Sequence, residues 1–290
     1  MPTESFRNSL YENLLKNNDT ITQTIIGKSH LNKNINIFKI GNKRKIVLLA
    51  GAFHGSEWLT SLILIKFLFD LNNIIMNTNV NKKFFNTGIS IIPVINPDGV
   101  EIALNGTSLS NIDRKYKNFI QKLSNNNTKK WQANALGVDI NHNFNADWEN
   151  LRQLEIKSNI LGPAMTRYGG VCAESEPETK AIANFCRNHE VIFAIAFHSQ
   201  GEEIYYNYNN IIPENSEKIA NLLSEATGYN LSQPEGLAVG GGFKDWFILE
   251  FNRPAFTIEI GLGENPLPLE DFYKIYPKMR KILLTIINYL

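Results

Sequence analysis

Apolar and polar positions alternate along this chain in blocks. Lys45–Gly51 and residues 88–96, 191–198 and 255–261 are near-continuous apolar runs, the pattern of strands buried on both faces. Residues 35–40 alternate instead, as a strand with one wet face does. Between these runs lie helical stretches. Residues 57–75 are apolar on most sides and predict an internal helix. Ser175-Glu-Pro-Glu178 predicts a helix start with a Ser cap and Pro in the first turn. Residues 213–227 predict a helix closed by Gly228, and 269–289 a terminal helix bent at Pro277. Asn96-Pro97 and Asp98-Gly99 read as turns that stop the second strand. Residues 1–20 form a polar lead-in, and 104–130 a polar excursion expected to be mobile. With no repeat and no flexible linker, the expectation is one α/β domain over residues 1–290. Its sheet is mixed, mostly parallel and covered by helices on both faces.

Polar residues interrupt the apolar pattern where strands end, which is where such folds place their sites. The segment Gly51-Ala-Phe-His-Gly-Ser-Glu-Trp58 joins the first apolar strand to the internal helix. It puts His54 and Glu57 three residues apart, close enough to turn toward one point. His198 follows seven apolar residues, and Glu259 stands between Ile258 and Ile260. A lone buried histidine is usually a satisfied core residue, and a lone strand-end glutamate usually an ion pair. A buried carboxylate costs several kcal/mol unless it is paired or metal-bound, so four such residues at corresponding strand ends point to a site. His54, Glu57 and His198 are candidate ligands for one Zn²⁺ per chain. Three protein ligands leave a position open, the arrangement of a catalytic rather than a structural zinc, and Glu259 is then the proton carrier.

Composition narrows the classes. The net charge of +1 and the lack of a basic, aromatic-interleaved patch argue against nucleic acid as a partner. The apolar run 62–69 is broken by Lys66 and Asp70, and the N-terminus lacks the apolar core of a secretory signal. No membrane partner and a cytoplasmic location are therefore expected. Cys172 and Cys186 are too few for a disulfide framework. Oligomeric state is not legible.

In chain order, His54-Gly-Ser-Glu57, Asn96-Pro-Asp-Gly99, Gly137-Val-Asp-Ile-Asn141, His198-Ser199 and Gly242-Phe-Lys-Asp-Trp246 followed by Ile258-Glu259-Ile260 resemble the zinc carboxypeptidase (M14) family. Trp131-Gln-Ala-Asn134 and Asn143-Phe-Asn-Ala-Asp-Trp148 are similar to the bacterial γ-D-glutamyl-diamino acid peptidases in particular. The resemblance implies a central mixed sheet of about eight strands, zinc on His54, Glu57 and His198, and Glu259 as base and acid. It also implies a small murein-derived peptide as substrate, cut between D-glutamate and diaminopimelate.

Several expected handholds are altered. Asn141 is followed by His142 where digestive members carry an Arg that clamps the substrate's terminal carboxylate, and an imidazole cannot supply that bidentate fork. The carbonyl-polarising Arg falls on Gln132, with Arg114, Lys129 and Lys130 as nearby cations that stand in for it or are plain loop charges. A substrate-capping Tyr falls on Leu237, and Ser56 stands where some members place another Arg. Lys244 falls at the position that sets pocket specificity, where it would favour an acidic group, or is a Lys on the solvent side of a helix. Gly241, inside Gly240-Gly-Gly242, gives a backbone room to approach a ligand. Glu202 and Glu203 read as a solvated strand edge, and Tyr205 and Tyr206 as core or rim packing. Two other functions fit the same ligands: a zinc deacylase of small N-acyl amino acids, like the aspartoacylase and succinylglutamate desuccinylase relatives, and a non-catalytic module that binds peptidoglycan peptides.

Overall fold

The structure, a computed structural model, describes residues 2–16, 20–42, 44–77, 83–108 and 113–290. Its elements are α1 (Glu4–Leu15), β1 (Ile21–Lys28), β2 (Asn34–Ile40), β3 (Lys45–Gly51), α2 (Leu59–Asn77), α3 (Lys83–Asn86), β4 (Gly88–Ile92), α4 (Pro97–Asn105) and α5 (Arg114–Ser124). They continue with α6 (Trp148–Lys157), α7 (Pro177–Arg187), β5 (Glu190–His198), β6 (Glu203–Tyr205), α8 (Ser216–Thr227), β7 (Asn230–Leu231), α9 (Phe243–Phe251), β8 (Ala255–Glu259) and α10 (Phe272–Tyr289).

The strands make one eight-stranded sheet in the order β1-β2-β4-β3-β5-β8-β6-β7. Its four central strands, β4, β3, β5 and β8, are parallel, and antiparallel pairings lie toward the two edges. These central strands are the four continuous apolar runs, and both of their faces are covered. Val47, Leu49, Phe193, Ile195, Phe197, Phe256 and Ile258 pack on one face with α2, α8 and α10. Ile46, Leu48, Ala50, Ala194, Ala196 and Ala255 pack on the other, with α7 and α9. By the two-residue pleat, His198 and Glu259 belong to the second face, at the carboxyl ends of their strands.

α2 is buried along most of its length. By length and composition alone it is a candidate membrane span, but 61% of the relevant window is inside the protein. The two charges that interrupt it are satisfied internally. Asp70 accepts from Tyr276 Oη at 2.7 Å and from Arg280 Nε at 3.0 Å, and pairs with Lys66, so it fastens α2 to α10.

Three expectations need correcting. The second strand stops at Ile92, and Asn96-Pro97 opens α4 rather than merely turning the chain: Asn96 Oδ1 caps Gly99 N at 2.8 Å, with Pro97 in the first turn. The cap of α7 is Glu176, not Ser175, whose hydroxyl is spent on Glu176 Oε1 at 2.7 Å. Within 104–130 the chain forms α5, whose Ile120 is buried with Trp131 and Ile102 in a small third core; residues 109–112 of that excursion lie outside the described residues.

Candidate metal centre and its cavity

β3 ends at Gly51, and the chain turns through a short 3-10 segment, Gly55–Glu57, before α2 begins at Leu59. That turn requires glycine at position 55, where a Cβ would lie 2.2 Å from Gly99 O and 2.8 Å from Trp131 O. Asn96 locks the crowded junction. Its Nδ2 donates to Phe53 O, Gln132 O and Ala133 O at 3.0–3.1 Å.

The turn aims His54 Nδ1 at Glu57 Oε1, 2.8 Å away, as the three-residue spacing predicts. From the adjacent strand β5, His198 Nδ1 meets Glu57 Oε2 at 3.0 Å. One ligand atom from each of the three residues lies within 4.8 Å of the others. Phe53 stacks on the His198 ring at 5.2 Å and fixes its plane. Burial alone would raise the Glu57 carboxyl, but the facing His54 and His198 rings outweigh it and hold it at about 2.

The donor set fits a cation. His54 has an acidic acceptor at each ring nitrogen: Glu57 at Nδ1 and Asp139 Oδ1 at Nε2, 3.1 Å away. A neutral imidazole can donate to only one of them. A metal on the Nδ1 side resolves the conflict and leaves Asp139 as the outer carboxylate that orients a ligating histidine. Two imidazole nitrogens and one ionised carboxylate are a set that zinc favours.

Glu259 is the register partner of His198 across the β5–β8 pair and lies opposite Glu203 of β6. Its carboxylate has no hydrogen-bond partner among the described residues. Burial, and then the negative charge of Glu57, push its pKa well above the usual carboxylate range. Such a group holds a proton more readily than an ordinary carboxylate, as a proton carrier must.

These side chains open into a cavity of about 320 Å³. His54, His198, Glu259, Gln132, Asn141, His142, Leu237 and Lys244 all line it; Glu57 lies beneath, buried. Several are already engaged. Gln132 Oε1 accepts from Thr166 Oγ1, which leaves its amide nitrogen available. Asn141 Oδ1 accepts from Phe243 N at 3.0 Å. His142 Nδ1 meets the buried Glu155 at 2.9 Å, and Lys244 is held by Asp245 and Asn207 O.

Gly241 is not on the cavity wall. Its backbone bonds to Phe144 N and Ala146 O place it behind, and its neighbours Gly240 and Gly242 form the lining. Arg114, Lys129, Lys130 and Ser56 do not line the cavity either; Lys130 pairs with Glu264 at the surface and Ser56 is buried. Glu202 and Glu203 are not simply solvated, since Glu202 pairs with Lys278 and Glu203 accepts from Tyr205 and Ser232. Tyr206 packs on the core as expected, whereas Tyr205 lines the cavity.

Four further residues matter here. Asp139 caps the turn at 140–142 and accepts from Asn141 N, Arg167 N and His54. Its motif is visible in the sequence, but the spacing gives no hint that it reaches His54, 85 residues away. Asn265 reaches Glu57 Oε1 at 3.4 Å and exchanges hydrogen bonds with Ser199. Thr166 and Arg167 come from a loop without any sequence signal.

Residues 8–286 match the zinc carboxypeptidase family, peptidase M14. The chain is 36% identical over 267 residues to γ-D-glutamyl-L-diamino acid endopeptidase 1 of Lysinibacillus sphaericus, a match covering 90% of this chain and 66% of that protein. Among solved structures it is similar to bovine thrombin-activatable fibrinolysis inhibitor, with a TM-score of 0.74 at 20% identity, covering 98% of this chain and 94% of the other. It is also similar to the murein-tripeptide amidase MpaA of Escherichia coli O157, with a TM-score of 0.57 at 19% identity and 91% of each chain covered. The ligand geometry and the extent of the sequence match agree: this chain belongs to the zinc carboxypeptidase family of metallopeptidases.

Proposed function

We propose that the chain hydrolyses an amide bond in a small murein-derived peptide, most specifically the bond from the γ-carboxyl of D-glutamate to a diamino acid such as diaminopimelate. One observation carries the reading: a carboxylate with a raised pKa and no partner among the described residues, Glu259, lines the same cavity as His54 and His198 and is the register partner of His198. The likeness to the Lysinibacillus endopeptidase supports the choice of bond.

His54, Glu57 and His198 hold the zinc, which when bound polarises the scissile carbonyl and lowers the pKa of water. Asp139 keeps His54 in place, and Asn265 and Ser199 N do the same for Glu57. Glu259 takes a proton from the attacking water on its carboxylate and delivers it to the leaving nitrogen. The amide nitrogen of Gln132 donates to the carbonyl oxygen as charge builds there. A neutral donor supplies less stabilisation than a charged one.

The test is mass spectrometry of L-Ala-γ-D-Glu-diaminopimelate after incubation with zinc-loaded protein. Release of free diaminopimelate is expected. The cavity is near the lower end of the roughly 300–1,000 Å³ range of ligand pockets, so N-acetyl and N-succinyl amino acids belong in the same panel. Turnover of those and not of the peptide would replace this reading with the deacylase.

A further inference from the structure

We propose that Arg167 recognises a free carboxylate of the substrate beside the scissile amide. The proposal rests on the peptidase reading and names the specificity residue of that site.

Five basic side chains line the cavity, and four already have acidic partners. His54 and His198 face Glu57, His142 faces Glu155, and Lys244 faces Asp245. The guanidinium of Arg167 is exposed and has no hydrogen bond or ion pair among the described residues. The position that sequence resemblance nominates for acidic specificity, Lys244, is therefore matched in place by Asp245, and the lining cation without an acidic partner among the described residues is Arg167.

The root of Arg167 is fixed and lies close to the metal cluster. Its backbone N–H donates to Asp139 Oδ2 at 2.9 Å, and the other oxygen of that carboxylate holds His54. On one side Met165 O accepts from Gln132 N and Ala133 N, both at 2.9 Å; on the other Tyr168 O accepts from Asp139 N at 2.7 Å. Arg167 itself has φ of 65°, a conformation that a non-glycine residue keeps only where its surroundings determine it. The exposed guanidinium thus extends from a backbone anchored through Asp139 to His54, a proposed zinc ligand.

The ligand class follows from charge and shape. The lining carboxylates Asp139 and Asp245 are already matched by His54 and Lys244, so a substrate carboxylate that enters finds Arg167 as the cation without an acidic partner among the described residues. The planar fork of Arg matches a carboxylate with two parallel hydrogen bonds. A γ-glutamyl–diamino acid peptide offers two such groups: the free α-carboxylate of the glutamate on the acyl side, and that of the diamino acid on the amine side.

The experiment compares wild type, Arg167→Ala and Arg167→Lys on a γ-D-glutamyl–diamino acid tripeptide in three forms: both carboxylates free, the glutamyl α-carboxylate amidated, or the diamino acid carboxylate amidated. Zinc content is measured for each protein to show that the cluster is intact. On the free form Arg167→Ala should lose about a hundredfold in kcat/KM, and Arg167→Lys less. One amidated form should cost wild type a similar factor while costing Arg167→Ala nothing further, and that form identifies the carboxylate. Wild-type rates for Arg167→Ala on the free form, or equal losses on all three forms, would overturn the assignment and leave the peptidase reading standing. If wild type cleaves none of the three, the peptidase reading fails. Arg167 is then judged by calorimetric binding of N-acetyl dipeptides with free or amidated C-termini. A preference for the free form that Arg167→Ala abolishes supports the role, and no preference in wild type overturns it.

Discussion

Two clusters in this molecule carry nearly the same residues in different proportions and surroundings. His54, Glu57 and His198 bring one ligand atom each within 4.8 Å of one another, and so do His30, Glu176 and Glu178. In the first, one carboxylate faces two imidazoles and is held ionised. In the second, two carboxylates face one imidazole, and Asn134 Nδ2 donates to both, at 2.6 Å to Glu176 and 3.3 Å to Glu178. His30 Nε2 meets Glu176 at 2.7 Å. Burial raises Glu178 to about 7 despite the opposing charge of His30, so near neutral pH it carries a proton for much of the time. His54 and His198 of the first cluster line the cavity of about 320 Å³, whereas none of the second's residues does. What separates the clusters is the balance of imidazole to carboxylate: two rings hold Glu57 ionised, whereas Glu178, crowded by a second carboxylate, retains a proton.

The largest expected effect breaks the comparison directly. His198→Ala should lose stoichiometric zinc and all measurable activity, with an affinity loss beyond the roughly 10–100-fold that outer contacts carry. His30→Ala should keep one zinc per chain. Elemental analysis after dialysis reads both, and a folded His30→Ala protein that loses its zinc would put the metal in the wrong cluster. Next in size is Glu259→Gln, which removes the proton carrier and leaves the three ligands. It should retain zinc and lose about 10²–10⁴-fold in kcat. Undiminished turnover would remove Glu259 from the reaction.

The third prediction concerns the second cluster. Glu178 ordinarily titrates near 4.5 and in the folded protein near 7, so the folded state binds this proton more tightly. Stability from this group is therefore full below about pH 4.5 and is lost as pH rises toward 7, by about 3 kcal/mol in all. His30, raised as well, acts in the same direction, and Glu176, lowered, acts in the opposite one. Glu178→Gln isolates the Glu178 contribution because it cannot ionise. Urea unfolding at pH 5 and pH 8 should show wild type losing about 2.5 kcal/mol relative to Glu178→Gln across that interval. A flat difference would mean that Glu178 is ionised in the folded protein, as it would be beside a bound cation, and the contrast between the clusters would fail.

The central sheet was legible because its strands are buried on both faces and so read as unbroken apolar runs. The edge strands were not: β1 is mostly wet, β6 has three residues and β7 two. The starts of α4 and α7 were not legible, because a turn Asn and a capping Asn look alike in sequence and only the fold sends the Ser175 hydroxyl to Glu176. In the candidate site, His54, Glu57, His198 and Glu259 announce themselves by breaking apolar patterns. Asn134 does not, because it sits in a polar stretch and its acceptors lie 42 and 44 residues away. Arg167 was invisible for the same reason: a loop cation differs from a solvated one only in what stands across the cavity.

The smallest effect tests the outer layer of the first cluster. Asp139 accepts from His54 Nε2, Asn141 N and Arg167 N with two oxygens. Burial works to raise it, yet the charges of His54 and His142 and the Arg167 N–H hold it well below the usual range. Asp139→Asn keeps the shape but has one acceptor oxygen, so at least one of the three donors is abandoned and His54 loses its counter-charge. Zinc affinity, read by competition with a chelator, should fall by about 10–100-fold. Asn134→Ala, the corresponding change in the second cluster, should leave that affinity unchanged while lowering stability, because it strips hydrogen bonds from two buried carboxylates. If the two substitutions behaved alike toward zinc, Asp139 would be only a structural brace, and the outer shell of the site would have to be sought at Asn265 and Ser199 instead.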